Sequence, residues 1–141
     1  MRIVVVSGGF DPIHAGHIAY FREASRLGDI LVAGVNSDDW LTRKKGKPFM
    51  SFDDRIAVVS SIKYVNYALR FDDSDDSAVN LLEEVKRIWP PSRYEICVAN
   101  GGDRTNLNNR EESVKDVKFI FGVGGFNKMN SSSDILRKWS E

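Results

Sequence analysis

One stretch near the start of the chain restricts its fold more than any other: Val4-Val5-Val6-Ser7-Gly8-Gly9-Phe10-Asp11-Pro12-Ile13-His14-Ala15-Gly16-His17. The β-branched run at 3–6 reads as a buried strand. Two glycines and a proline then interrupt it, and the apolar periodicity from about 16 to 27 predicts a helix. A strand, a tight glycine turn and a helix N-terminus make an anion site. Glycines let backbone N–H groups approach a phosphate, and the helix end adds unpaired donors and partial positive charge. His14 and His17 are three residues apart, so at a helix entrance they share one side and can both point at the bound anion.

The full string is narrower than a generic nucleotide site. Gly9-Phe10-Asp11 followed by His14-Ala15-Gly16-His17 resembles the signature of the cytidylyltransferase-like nucleotidyltransferases. That superfamily includes glycerol-3-phosphate cytidylyltransferase, the heptose-phosphate adenylyltransferase domain and phosphopantetheine adenylyltransferase. An ordinary strand-to-helix turn carrying two surface histidines is the plainer alternative.

The rest of the chain fits one domain, 1–141, long enough to bury a core without staples. Lysine plus arginine equals aspartate plus glutamate, 20 each, so no basic field argues for nucleic acid, and no apolar run is long enough to span a membrane. The start of the sequence, running directly into a strand, carries the expectation of no secretory leader. A single cysteine, Cys97, excludes an intramolecular disulfide, makes structural zinc implausible and reads as a small buried hydrophobe. The expectation is a cytoplasmic protein.

In order, a strand at 30–35 is apolar throughout, as suits a parallel strand covered on both faces, and delivers Asn36-Ser37-Asp38-Asp39 to its carboxyl end. Arg43-Lys44-Lys45-Gly46-Lys47-Pro48 reads as a short basic loop. Ser51 can cap a helix with Asp54 at its third position and Ile56, Val59 and Ile62 on its apolar stripe. After a short strand at 67–71, Asp72-Asp73-Ser74-Asp75-Asp76-Ser77 invites a calcium reading. The EF-hand glycine is missing, however, so the expectation is a solvated acidic loop whose Ser77 or Asp76 caps the helix of Ala78, Leu81, Leu82, Val85 and Ile88. Strands at 94–99 and 117–121 follow, the first running into Asn100-Gly101-Gly102-Asp103. A last helix, opened by Ser131, Ser132 and Ser133, carries Ile135, Leu136 and Trp139. This alternation gives a three-layer α/β, Rossmann-like fold with a parallel sheet and right-handed crossovers.

The resemblance extends over nearly the whole chain and implies a five-stranded sheet in the order 3-2-1-4-5. It also implies a chemistry: an acceptor phosphate attacks the α-phosphorus of a nucleoside triphosphate, and pyrophosphate leaves. His14 and His17 would donate to phosphate oxygens, with the backbone at Gly8, Gly9 and Phe10, beside Asp11 and Gly16, lining the α-phosphate pocket. Lys44 or Lys45 would hold the acceptor phosphate and the transferring phosphoryl group. Arg55, which opens the family's arginine helix, would join the site. Asp103 would hold a ribose hydroxyl or shape the base pocket, and Lys128, Ser131, Ser132 and Ser133 would grip the leaving group. Magnesium is expected with the nucleotide, without a dedicated carboxylate cage, and a homodimer is expected from the family.

The base is read two ways. Ser61-Ile62-Lys63-Tyr64-Val65 leans toward cytidylyl transfer from CTP to glycerol 3-phosphate, the leading expectation. The Arg-Thr-Glu-Gly-type string of that branch is missing before the serines. Gly101-Gly102-Asp103 leans toward adenylyltransferases that use ATP and a sugar (heptose) phosphate. A catalytically idle nucleotide-binding module is the third reading.

Overall fold

In a computed structural model, described over residues 1–101, 110–124 and 132–140, five parallel strands form one sheet in the order β3-β2-β1-β4-β5. The strands are β1 (Arg2–Gly8), β2 (Ile30–Val35), β3 (Tyr67–Arg70), β4 (Glu95–Gly101) and β5 (Val117–Val123). The helices are α1 (Ala15–Ser25), α2 (Asp38–Lys45), α3 (Phe52–Ser60), α4 (Val79–Ile88) and α5 (Ser132–Ser140), with a 3-10 turn at Arg110–Ser113. The expected fold class and strand order are those observed. Among the described residues no helix is long and apolar enough to cross a membrane.

Strand alternation divides the core into two layers. Val4 and Val6 of β1 pack with Phe21 and Ala24 of α1 and with Phe52 and Val59 of α3. Ile3 and Val5 face the other way, onto Leu81, Leu82 and Val85 of α4. Each such fully buried aliphatic side chain contributes about 1.5–3 kcal/mol. Gly34 of β2 is needed where α4 lies closest, since a Cβ there would overlap the Leu81 side chain.

Two expectations change at the carboxyl edge of the sheet. The basic segment is not a loop: Arg43, Lys44 and Lys45 form the last turn of α2, capped by Ser37 at one end and Gly46, at φ 96°, at the other. Its acidic first turn and basic last turn complement the helix dipole. The acidic loop is not wholly solvated either, because Asp73 is buried. Nor does a side chain cap α4 through its N-cap residue, which is Ala78. Ser77 Oγ accepts from Val79 N (3.3 Å), and Glu111 Oε1 accepts from Ala78 N (3.2 Å). At the other end of the chain, Ile135 and Leu136 of α5 are half-buried, whereas Trp139 is 81% exposed.

Candidate active site

The turn after β1 is held by its own histidines. His14 is the N-cap of α1 and its Nδ1 accepts from Gly16 N (3.0 Å), while His17 Nδ1 accepts from His14 N (3.1 Å). Using both Nδ1 atoms as acceptors places the proton of each neutral ring on Nε2, so both rings retain an N–H for a ligand. The rings lie 4.0 Å apart, and Phe10 packs edge-on to His17 at 5.2 Å. Burial, and then repulsion by His14, push the His17 pKa down to about 4; burial also lowers that of His14. Near neutral pH, His17 is therefore an uncharged donor. Phe10 takes φ 52°, a left-handed conformation costly for a non-glycine residue, and is fixed there by burial against Phe21. A Cβ on Gly9 would lie 2.9 Å from Leu41 Cδ2, so any larger residue there would have to displace the end of that side chain.

Asp11, only 2% exposed, faces inward from this turn. It accepts from Phe49 N (2.7 Å) and Met50 N (2.6 Å) and pairs with Lys45 Nζ (2.9 Å), so it fastens the segment after α2 onto the turn after β1. Lys45 also donates to the Asp11 carbonyl (2.6 Å). The two adjacent lysines are thereby separated. Lys45 stands beside the histidine turn, and Lys44 lies over the Trp40 ring at 4.7 Å.

Arg55 lies behind the site rather than in it. Its side chain is buried, with Nε donating to Met50 O (3.0 Å) and Nη1 to Gly9 O (2.9 Å) and Asn36 O (2.6 Å). Nη2 donates to Asp38 Oδ1 (2.7 Å). One guanidinium thus ties the loops after β1 and β2 to the start of α3, using the planar fork that lysine lacks. Asp73 adds a second tie that sequence reasoning missed. It accepts from Asn36 Nδ2 (2.9 Å), Ser37 N (2.8 Å) and Ser37 Oγ (2.7 Å), and its carbonyl accepts from Arg43 (2.9 Å). The signal available was Asn-Ser at a strand's carboxyl end, but nothing local names its partner 36 or 37 residues away.

The last helix comes to the same turn. Ser132 Oγ donates to Pro12 O (2.8 Å), bringing the N-terminus of α5 against the loop that leads into His14. Tyr20 hydroxyl donates to Ala99 O, joining α1 to β4 nearby. Of the sequence candidates, Gly8, Gly9, Phe10, Asp11, His14, Gly16, His17, Lys45 and Ser132 therefore gather at one edge. Asp103, Lys128 and Ser131 lie outside the described residues, as does the side chain of Ser133. Among the described residues no three His, Cys, Asp or Glu side chains cluster to hold a metal ion.

Residues 5–137 match the sequence model of the cytidylyltransferase-like family. The chain is 42% identical over 139 residues to the bifunctional protein HldE of Campylobacter concisus (strain 13826), a match covering 97% of this chain and 27% of that protein. It is 34% identical over 147 residues to the bifunctional protein HldE of Geobacter sulfurreducens, covering 99% of this chain and 28% of the relative. The chain thus spans about a quarter of the length of these curated relatives. Among solved structures it is similar to the lipopolysaccharide core biosynthesis protein from Thermoplasma volcanium GSS1. The TM-score is 0.69 at 25% identity, covering 92% of this chain and 99% of that one.

Proposed function

The chain belongs to the cytidylyltransferase-like family and is a nucleotidyltransferase; on that premise we propose that it transfers the adenylyl group of ATP to a sugar phosphate, with heptose phosphate the leading candidate. One observation carries the transfer reading: the Nε2–H pair of His14 and His17 and the hydroxyl end of α5 meet at a single turn through the Ser132–Pro12 bond. The relatives named HldE support ATP and a sugar phosphate over CTP and glycerol 3-phosphate. So does Gly101-Gly102-Asp103, which resembles the heptose adenylyltransferases.

The acceptor phosphate is ionised at neutral pH, so no strong general base is needed, and catalysis reduces to positioning and charge stabilisation. The α-phosphoryl group sits at the turn of Gly8, Gly9 and Phe10. His14 and His17 donate from Nε2 as negative charge moves toward the bridging oxygen. An uncharged donor gains more from that developing charge than from the resting ester, and such a difference lowers a barrier. Lys45 meets phosphoryl oxygens, a role supported by its pairing with Asp11 at the turn. Ser132, with Ser131, Ser133 and Lys128, receives the pyrophosphate. Asp11 and Arg55 position the loops, and Asp103 serves the nucleoside. Magnesium would come with the nucleotide and would supply neutralisation of phosphate charge. The donor set fits a nucleotide-borne ion, since both Asp11 oxygens are already engaged by the chain.

The test is pyrophosphate release from ATP or CTP, each against heptose phosphate and glycerol 3-phosphate. Turnover with ATP and the sugar phosphate is expected. Preference for CTP with glycerol 3-phosphate would reverse the substrate assignment, and no release with any pair would favour a binding module.

A further inference from the structure

The sheet opens at its carboxyl edge between the two central strands. Pairing of β1 with β4 stops at Val5↔Val98, although β1 continues, paired with β2, to Gly8↔Val35. Strand β4 likewise continues to Gly101, paired with β5 at Gly101↔Val123 beyond a register shift. The two strands therefore part over their last residues. The order β3-β2-β1-β4-β5 makes this the place where the winding of the sheet reverses, the crevice in which open α/β sheets take ligands.

Asn100 stands in that opening. It is 8% exposed, and its side-chain Nδ2 is buried with no hydrogen-bond partner among the described residues. Buried donors in folded proteins are nearly always satisfied, so an orphan in a ligand crevice calls for a partner from outside the chain. Its face of the sheet says which substrate supplies that partner. Ile96 and Val98 pack in the α4 layer and Ala99 in the α1 layer, so alternation puts Asn100 on the α4 side. The histidine turn belongs to α1, and Ser132 binds the same turn. Phosphoryl transfer requires attacking and leaving oxygens roughly in line across the phosphorus. With pyrophosphate leaving toward α1 and α5, the acceptor enters from the side of α4.

We propose that Asn100 is an acceptor-binding residue, its carboxamide N–H donating to an oxygen of the acceptor's phosphate. This rests on the transfer reading above. The loss of a hydrogen bond to a charged oxygen corresponds to about a ten- to hundredfold change in affinity.

The experiment measures steady-state kinetics with whichever triphosphate and phosphorylated acceptor the wild-type protein turns over, together with thermal melts without ligand. Asn100→Ala should raise the acceptor KM about ten- to hundredfold, leave the triphosphate KM within about twofold, and melt at or above the wild-type temperature. The melt separates this role from a merely structural one, because removing an unsatisfied buried donor does not destabilise the free protein. Asn100→Asp, which adds negative charge opposite a phosphate, should raise the acceptor KM further. An unchanged acceptor KM in both variants, an equal rise in the triphosphate KM, or an Asn100→Ala melt several degrees lower would overturn the assignment. In each of these cases turnover by the wild-type protein leaves the transfer reading standing. A wild-type protein that releases no pyrophosphate with any pair overturns that reading, and the role of Asn100 with it.

Discussion

Acidification should unfold this protein earlier than its carboxylates alone would require, because His17 is buried uncharged. Its folded pKa is pushed down to about 4, chiefly by burial, whereas an unfolded histidine titrates near 6.5. A depressed histidine pKa means that the unfolded chain binds the extra proton first. Stability is therefore constant above about pH 7 and falls as pH drops through 6.5 toward 4. At pH 5 the unfolded side chain is almost wholly protonated and the folded one only about a tenth. The loss relative to pH 8 is then about 2 kcal/mol, rising to about 3 kcal/mol below pH 4. His14, also depressed by burial, adds in the same direction. The carboxyl values of Asp72, Glu84 and Glu95 are lowered, first by hydrogen bonds from Ser74, Arg87 and Lys118 respectively, so the stability they contribute is also lost on acidification, equally in the wild-type protein and a His17 variant. Urea unfolding at pH 8, 7, 6 and 5 would be compared for the wild-type protein and His17→Gln. Glutamine does not titrate, and its carbonyl can still accept from His14 N, as a capping box requires. The variant's stability should decline by about 2 kcal/mol less than the wild-type's between pH 8 and 5. Parallel curves for the two proteins would refute the burial argument. Bound triphosphate should oppose the loss, since anionic oxygens at Nε2 favour the protonated ring. Its stabilising effect should grow as pH falls from 7 to 5.

Three further outcomes follow from the geometry. Arg55→Met should cost about 3 kcal/mol or more in denaturant unfolding, because it strips the shared donor from three loop segments; Arg55→Lys should recover only part of this, lacking the fork. Lys45→Ala should depress turnover by one or more orders of magnitude and Lys44→Ala by less than about twofold in the same pyrophosphate assay, and equal effects would contradict their separation by Asp11 and Trp40. Ser132→Ala should weaken triphosphate binding about ten- to hundredfold in calorimetric titration while leaving monophosphate binding unchanged, and equal losses for both would remove the pyrophosphate assignment.

The order of the elements was legible because parallel α/β sheets leave a strong trace in sequence. Buried strands such as 30–35 are continuously apolar, and the α4 helix repeats Leu81, Leu82 and Val85 at helical spacing. The histidine turn was legible for a related reason: glycines, a cap and two histidines act over a few residues, and local chemistry fixes their arrangement. Helix α2 was missed although its signals were present. Eight residues with one buried leucine carry little periodicity, and a basic triplet beside glycine and proline reads equally as a loop despite the Ser37 cap and the Gly46 stop.

What the sequence determined by itself, then, was the succession of strands and helices apart from α2 and the meeting of His14 and His17 at the turn after β1, since both depend on neighbours in the chain. Partnership across the chain was decided only by the tertiary structure. Nothing near Arg55 indicates that its guanidinium would be spent on the carbonyls of Gly9, Asn36 and Met50, and nothing near Lys45 names Asp11 as its partner. Nor could the sequence show that the Asn100 Nδ2 would have no partner among the described residues. A hydrogen bond between distant residues depends on where the sheet carries their backbones. The parting of β1 from β4 beyond Val5 and Val98 is a property of the assembled sheet alone.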